Sequence, residues 1–107
     1  MTLFLIKSDL GTLEDGIPNP DAIRKLIDSI AAGELSFLVI QQVQSPQIYI
    51  QAFLDIEGVC LEHREGGPER HYSSRGVTVE QAHAAMMSWA SGTEDWRSGV
   101  TWQRAQI

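Results

Sequence analysis

The chain has 107 residues, 43% hydrophobic and 21% charged, the proportions of one soluble globular domain with a single modest core. The net charge is −6, with nine acids against three bases in residues 1–62 and five of each thereafter. That balance argues against a nucleic-acid binder, whose affinity depends on Lys and Arg neutralising phosphates. The single cysteine, Cys60, leaves no internal disulfide and fits a reducing, cytoplasmic setting. The apolar run in residues 3–6 is too short for a signal peptide, and no stretch approaches the roughly 20 apolar residues of a membrane helix.

Leu3 to Lys7 reads as a first strand. Asp9 to Asn19 has the glycines, proline and acids of a surface loop, the densest acidic one in the chain, with Asp9, Glu14 and Asp15. It lacks the alternating oxygen ligands and closing glutamate of an EF-hand loop, so no calcium site is expected. Asn19-Pro20-Asp21 is a helix start: Asn caps, Pro suits the first turn and Asp complements the dipole. Ile23, Leu26, Ile27, Ile30 and Ala31 then form an apolar stripe, and Gly33 is placed to end the helix as a left-handed cap. The run Phe37-Leu38-Val39-Ile40 within Glu34 to Val43 suits a central strand.

The organising stretch is Pro46 to Ser74, an expected three-stranded antiparallel meander. Ile48, Ile50, Ala52 and Leu54 alternate towards a core, while Gln47, Tyr49, Gln51 and Phe53 line a partly exposed face. Asp55-Ile56-Glu57-Gly58 makes the first turn and Glu65-Gly66-Gly67-Pro68 the second. A four-residue second loop sets Arg64 opposite Glu69 and Glu62 opposite His71, two opposite-charge pairs on one face, with Leu61 and Tyr72 on the other.

Thr78-Val79-Glu80-Gln81 is a capping box, followed by the stripe Ala82, Ala85, Met86, Trp89 and Ala90 and by Gly92 as a stop. His83 falls off the stripe, towards solvent. Thr93 opens a further helical turn, Val100 to Arg104 alternates as an edge strand, and Trp96 and Trp102 seal the end of the core. The sum is an α+β two-layer sandwich: an antiparallel sheet of about five to six strands with two helices, in the order β-α-β-β-β-β-α-β.

No nucleotide loop, metal cluster or nucleophile motif stands out. His63 and His71 fall on opposite faces in this register and cannot share a metal. Glu62 and His71 have the chemistry of an acid–base pair but no nucleophile beside them, so a polar cross-strand ladder is the simpler reading. Neither a catalytic residue, a metal nor a cofactor is expected. Cys60 reads as a small buried strand residue.

Leu61-Glu62-His63-Arg64-Glu65-Gly66-Gly67-Pro68-Glu69-Arg70-His71-Tyr72, followed by Trp89, Asp95-Trp96-Arg97 and Trp102, resembles a pattern in small bacterial immunity proteins of polymorphic toxin systems, of the α+β type. The resemblance covers roughly residues 46–104, and a tyrosine expected after Leu61-Glu62 is replaced by His63. It implies a cytoplasmic protein without chemistry of its own that occludes a cognate toxin. Such toxins are often basic, and an acidic inhibitor associates with them quickly through electrostatic steering. The expected contacts are Asp9, Glu14 and Asp15 in the loop, Asp55 and Glu57 in the turn, and Glu62, Arg64, Glu69 and His71 on the hairpin. Two other classes stay open: a self-assembling module that dimerises through a sheet edge, and a small ligand-binding domain or enzyme using the Glu62/His71 face, which a deep pocket beside that pair would favour. Neither nucleic acid nor membrane is an expected partner.

Overall fold

The computed structural model describes residues 3–15 and 18–105, and of residues 13–15 the backbone alone. The elements run β1 (Phe4–Ser8), β2 (Gly11–Asp15), α1 (Pro20–Ala31), β3 (Phe37–Gln42), β4 (Ile48–Asp55), β5 (Gly58–Glu65), β6 (His71–Val77), α2 (Val79–Ser91), α3 (Asp95–Ser98) and β7 (Gln103–Arg104). The strands form one antiparallel sheet in the order β2-β1-β3-β4-β5-β6-β7. The α+β class and two-layer build match the sequence reading, but the described residues form seven strands and a third, four-residue helix. The additional strand is β2, inside the stretch expected to be a loop. GTLED has little strand character of its own, and it is held by pairing with β1 from Phe4↔Asp15 to Ser8↔Gly11.

The helices start and stop where their caps dictate. The Asn19 side chain accepts from the Ala22 N–H at 3.0 Å, and Pro20 opens α1. Thr78 and Gln81 exchange the two bonds of a capping box, at 3.0 and 2.8 Å, and Gly92 ends α2 at φ 79°. Ile23, Ile27 and Ile30 of α1 and Ala82, Ala85 and Met86 of α2 are buried against Ile6, Leu38, Ile40, Ile50, Ala52, Val59 and Leu61 of the sheet. His83, expected in solvent, is half-buried, and its Nε2–H donates to the Pro20 carbonyl at 2.8 Å, tying α2 to the start of α1.

All of this packs on one face of the sheet. The side chains of the other face, among them Leu5, Val39, Gln51, Phe53, Glu62 and Arg64, are half-buried, and among the described residues no helix lies over them. Leu54, expected in the core, is exposed at the end of β4.

The β5–β6 register differs from the expected one by two residues. Arg64 stands opposite His71, His63 opposite Tyr72, Glu62 opposite Ser73 and Leu61 opposite Ser74. The extra length is taken up by a 3-10 turn at Pro68–Arg70, closed by a 3.0 Å bond from the Arg70 N–H to the Gly67 carbonyl. A two-residue shift preserves the faces, so Glu62 and His71 still share one and His63 and His71 still lie on opposite ones. It does break the expected Arg64–Glu69 pair: Glu69 lies exposed on the 3-10 turn, and Arg64 finds other partners. Between Val59 and Leu61 the ladder is interrupted by a bulge on the β6 side, where Gly76 takes φ 65°, a conformation that costs glycine nothing.

The C-terminal segment folds onto the helix-covered face. The Trp102 indole N–H donates to the Trp96 carbonyl at 2.9 Å, and the Trp96 N–H to Ser88 Oγ at 3.0 Å. Trp96 is buried and Trp102 half-buried, and both meet the His63 ring edge-on, with centroids 4.7 and 4.4 Å away. The two tryptophans therefore close the end of the core, as the sequence suggests, and deliver β7 to the edge of β6.

Candidate functional site

On the open face, β4, β5 and β6 bring together a polar network that no single strand contains. Tyr49 and Gln51 project from β4, Glu62 and Arg64 from β5, and His71 from the first position of β6. Gln51 donates to Glu62 Oε1 at 2.6 Å, and His71 Nε2 lies 3.1 Å from the same oxygen. Arg64 Nε donates to His71 Nδ1 at 3.1 Å, and its Nη1 to the Gln47 side chain at 2.6 Å. Guanidinium has no acceptor, so Nδ1 must receive, and the imidazole proton sits on Nε2 and is given to Glu62. The Arg64 guanidinium also lies 5.7 Å from the Tyr49 ring centre. Burial pushes the Tyr49 phenol up, Arg64 opposing and Glu62 adding. His71 is buried although its face carries no helix, because these neighbours cover it.

A groove of about 1140 Å³ runs beside this network, from Glu57 along β5 and β6 to Ala105. Glu62 and His71 line it together with Ser73, Arg75 and the C-terminal residues Thr101 and Arg104. It exists because the C-terminal segment pairs with β6 at Tyr72 and Ser73 and bonds the His71 carbonyl through the Ala105 N–H, leaving Ser74 to Val77 without a strand neighbour on that side among the described residues.

The expected contact residues separate into groups. Asp9, Asp55 and Glu57 come to one end of the sheet, at the β1–β2 and β4–β5 turns. Glu62, Arg64 and His71 belong to the network, and Arg64 lies six residues along β5 from Gly58, about 20 Å at strand spacing. Glu69 is beyond it, on the 3-10 turn. Glu14 and Asp15 stand opposite Leu5 and Phe4 on the outermost strand, and their side chains lie outside the described residues. Two of the acids have local structural duties. The Asp9 carboxylate accepts from the Ser36 N–H at 3.1 and 3.2 Å. Desolvation is the largest single cause and opposes its charge, but the bonds from Ser36, Phe37 and its own backbone together prevail and hold it below the ordinary carboxylate value. Asp55 Oδ1 accepts from the Glu57 N–H at 2.8 Å, closing the β4–β5 turn.

Tyr49, Gln51 and Gln47 were not singled out from the sequence as site residues, although the alternation put all three on one face of β4. Their role depends on which β5 residue each meets, Tyr49↔Arg64 and Gln51↔Glu62, which is a matter of register.

On the opposite face His63 is 3% exposed, stacked on Tyr72 with centroids 4.8 Å apart, and its Nδ1 has no hydrogen-bond partner among the described residues. Glu65 Oε1 is 3.8 Å away, beyond bonding distance. Burial lowers the His63 pKa from 6.5 to about 4, Glu65 opposing and Arg97 and His71 adding. Cys60 is 1% exposed, and burial first, then the charges of Glu62 and Asp55, push its thiol up to about 11. Among the described residues no three His, Cys, Asp or Glu side chains converge as metal ligands, and no helix is long and apolar enough to cross a membrane. No protein-family model, curated protein or solved structure matches the chain.

Proposed function

We propose that this chain is a non-catalytic binding protein that neutralises a basic protein toxin by covering it, the role implied by the resemblance of its hairpin and tryptophan tail to bacterial immunity proteins. The observation that carries the reading is the open sheet face, a broad surface without a helical layer among the described residues, whose polar side chains are locked to one another. Both nitrogens of His71 are committed, Nδ1 to Arg64 and Nε2 to Glu62, so neither is free to move a proton for a substrate. The buried, high-pKa Cys60 thiol is a poor nucleophile. A surface whose polar side chains are already bonded to one another binds at a lower entropic cost of ordering them, and the −6 charge speeds encounter with a cationic partner.

The test is affinity capture with the tagged protein from its own cells, released by a salt ramp, followed by co-expression of the captured partner. A single basic partner that is toxic alone and harmless with this chain supports the reading. Recovery of the protein alone refutes it. A second reading, a domain that binds a small polar ligand, is favoured by the groove beside Glu62 and His71. Ligand-induced shifts of the Glu62 and His71 resonances without a protein partner would select it.

A further inference from the structure

We propose that the end of the sheet built by the β1–β2 and β4–β5 turns is the anchoring surface for a basic protein that presents an apolar cleft rimmed by Lys or Arg; this rests on the reading of the chain as a binding protein and deepens it. The topology gathers there side chains from four strands. Ser8 pairs with Leu38, Phe37 with Phe53, and Asp55 with Gly58, so the two turns and the start of β3 lie side by side across β1, β3, β4 and β5. Three strand spacings make this front roughly 15 Å wide.

What it exposes is unusual for a domain of this size. Ile56 is 99% and Leu10 78% accessible, each at the tip of a turn, and Phe37 is exposed beside the half-buried Phe53 on the open face. Branched aliphatics at turn tips do nothing for the turns themselves, which favour polar residues and glycine, and they stabilise no core. Large apolar side chains surrounded by polar groups are the composition of an interaction hot spot. Both tips are also held in shape: the Leu10 N–H donates to Ser8 Oγ at 3.1 Å, the Asp9 carboxylate is pinned on Ser36, and the Asp55 carboxylate holds the Glu57 N–H.

Charge selects the occupant. Asp9, Asp55 and Glu57 stand next to Leu10 and Ile56, with Glu34 exposed two residues before Ser36. The bases nearest in register, Lys7 on β1 and Arg75 on β6, leave the balance negative. A second copy would bring the same carboxylates against themselves, whereas a cationic rim around an apolar cleft complements both features.

The experiment is a titration of the isotope-labelled full chain, followed by amide resonances, with a helical peptide of leucine and lysine carrying its leucines on one face. The expected perturbations centre on Leu10, Phe37 and Asp55 to Gly58. Affinity falls by about tenfold on moving from low to physiological salt, and by about tenfold in Ile56→Asp, whose fully exposed site leaves the fold intact. Perturbations centred on Glu62 and His71, equal binding of a leucine–glutamate peptide, or indifference to Ile56→Asp would overturn the proposal. Concentration-dependent broadening of the same amides without peptide would assign the surface to a second copy and overturn it too. If a toxin captured from cells is bound equally well by Ile56→Asp, this surface is wrong while the inhibitor reading stands. If the peptide docks here and no toxin is captured, the converse holds.

Discussion

Lowering the pH should unfold this protein through His63. The ring is boxed by Tyr72, Trp96 and Trp102 at centroid distances of 4.8, 4.7 and 4.4 Å, with an Nδ1 unpartnered among the described residues, and its pKa falls from 6.5 to about 4. The folded state therefore binds the imidazole proton more weakly than the unfolded chain. As pH drops below 6.5 the unfolded state takes up that proton and gains stability relative to the fold, until the folded pKa is reached near 4. At 1.36 kcal/mol per pKa unit the loss amounts to about 2 kcal/mol at pH 5 and about 3 kcal/mol by pH 4, a large share of the stability of a small domain. The assay is denaturant unfolding followed by tryptophan fluorescence from pH 7 downward, on the wild type and on His63→Phe. Phe keeps the aromatic box and removes the titrating group, so packing changes shift its whole curve while the pH slope between 6.5 and 4 flattens by the stated amount. Carboxylates remote from His63 affect both proteins alike and cancel in the difference, and Glu65, 3.8 Å from Nδ1, is replaced by Gln in both proteins to remove its coupling. Parallel losses of stability in the two proteins would refute the reasoning and place the acid sensitivity elsewhere.

Other outcomes follow from single contacts. Glu62→Leu leaves the Gln51 and His71 donors without their acceptor and should cost about 2 kcal/mol in denaturant unfolding, whereas Glu62→Gln, with an amide oxygen in the same place, should cost less than half of that. Trp102→Ala removes the bond to Trp96 and one wall of the His63 box, and a loss of about 3 kcal/mol with increased exchange of the Ser73 amide, which faces β7, is expected as β7 detaches. Thr78→Ala breaks half of the capping box and should lower stability by about 1 kcal/mol. Cys60 should resist alkylation at pH 8 in the folded protein and react promptly in denaturant; equal rates would contradict its burial.

What the amino-acid sequence reveals here is local, and what it conceals is pairing. Both main helices are legible because the bonds that cap them join residues three apart, Asn19 to Ala22 and Thr78 to Gln81. The separation of His63 from His71 is legible because the period of two survives a two-residue change of register. The register itself is not, since Pro68–Arg70 can close a tight turn or a 3-10 turn and only the partners across the ladder decide between them. β2 is hidden for a related reason: GTLED carries loop residues, and its ladder with β1 outweighs that weak preference. The polar network is half visible, Glu62 and His71 from their hairpin, while Tyr49 and Gln51 join it across β4–β5 pairings and Gln47 by accepting from Arg64. The front of exposed apolar residues is hidden in the sequence because Leu10, Phe37 and Ile56 are far apart along the chain and come to one end of the sheet only through the order of the strands.

The same strand order bears on how fast the molecule forms. From β3 to β6 each strand lies beside its successor in sequence, and the one departure is β1, which closes on β2 by a two-residue turn and on β3 across α1. No parallel pair has to wait for a long crossover. From β3 to β6 the chain can zip hairpin by hairpin, each closure bringing the next strand within reach at small entropic cost, with β7 added across α2 and α3, so folding should be quick for a sheet of this size. The slowest pairing should be β1 with β3, the one that needs α1 already in place, and substitutions at Ile27 or Ile40 should slow refolding more than those at the β7 edge, which should act mainly on unfolding.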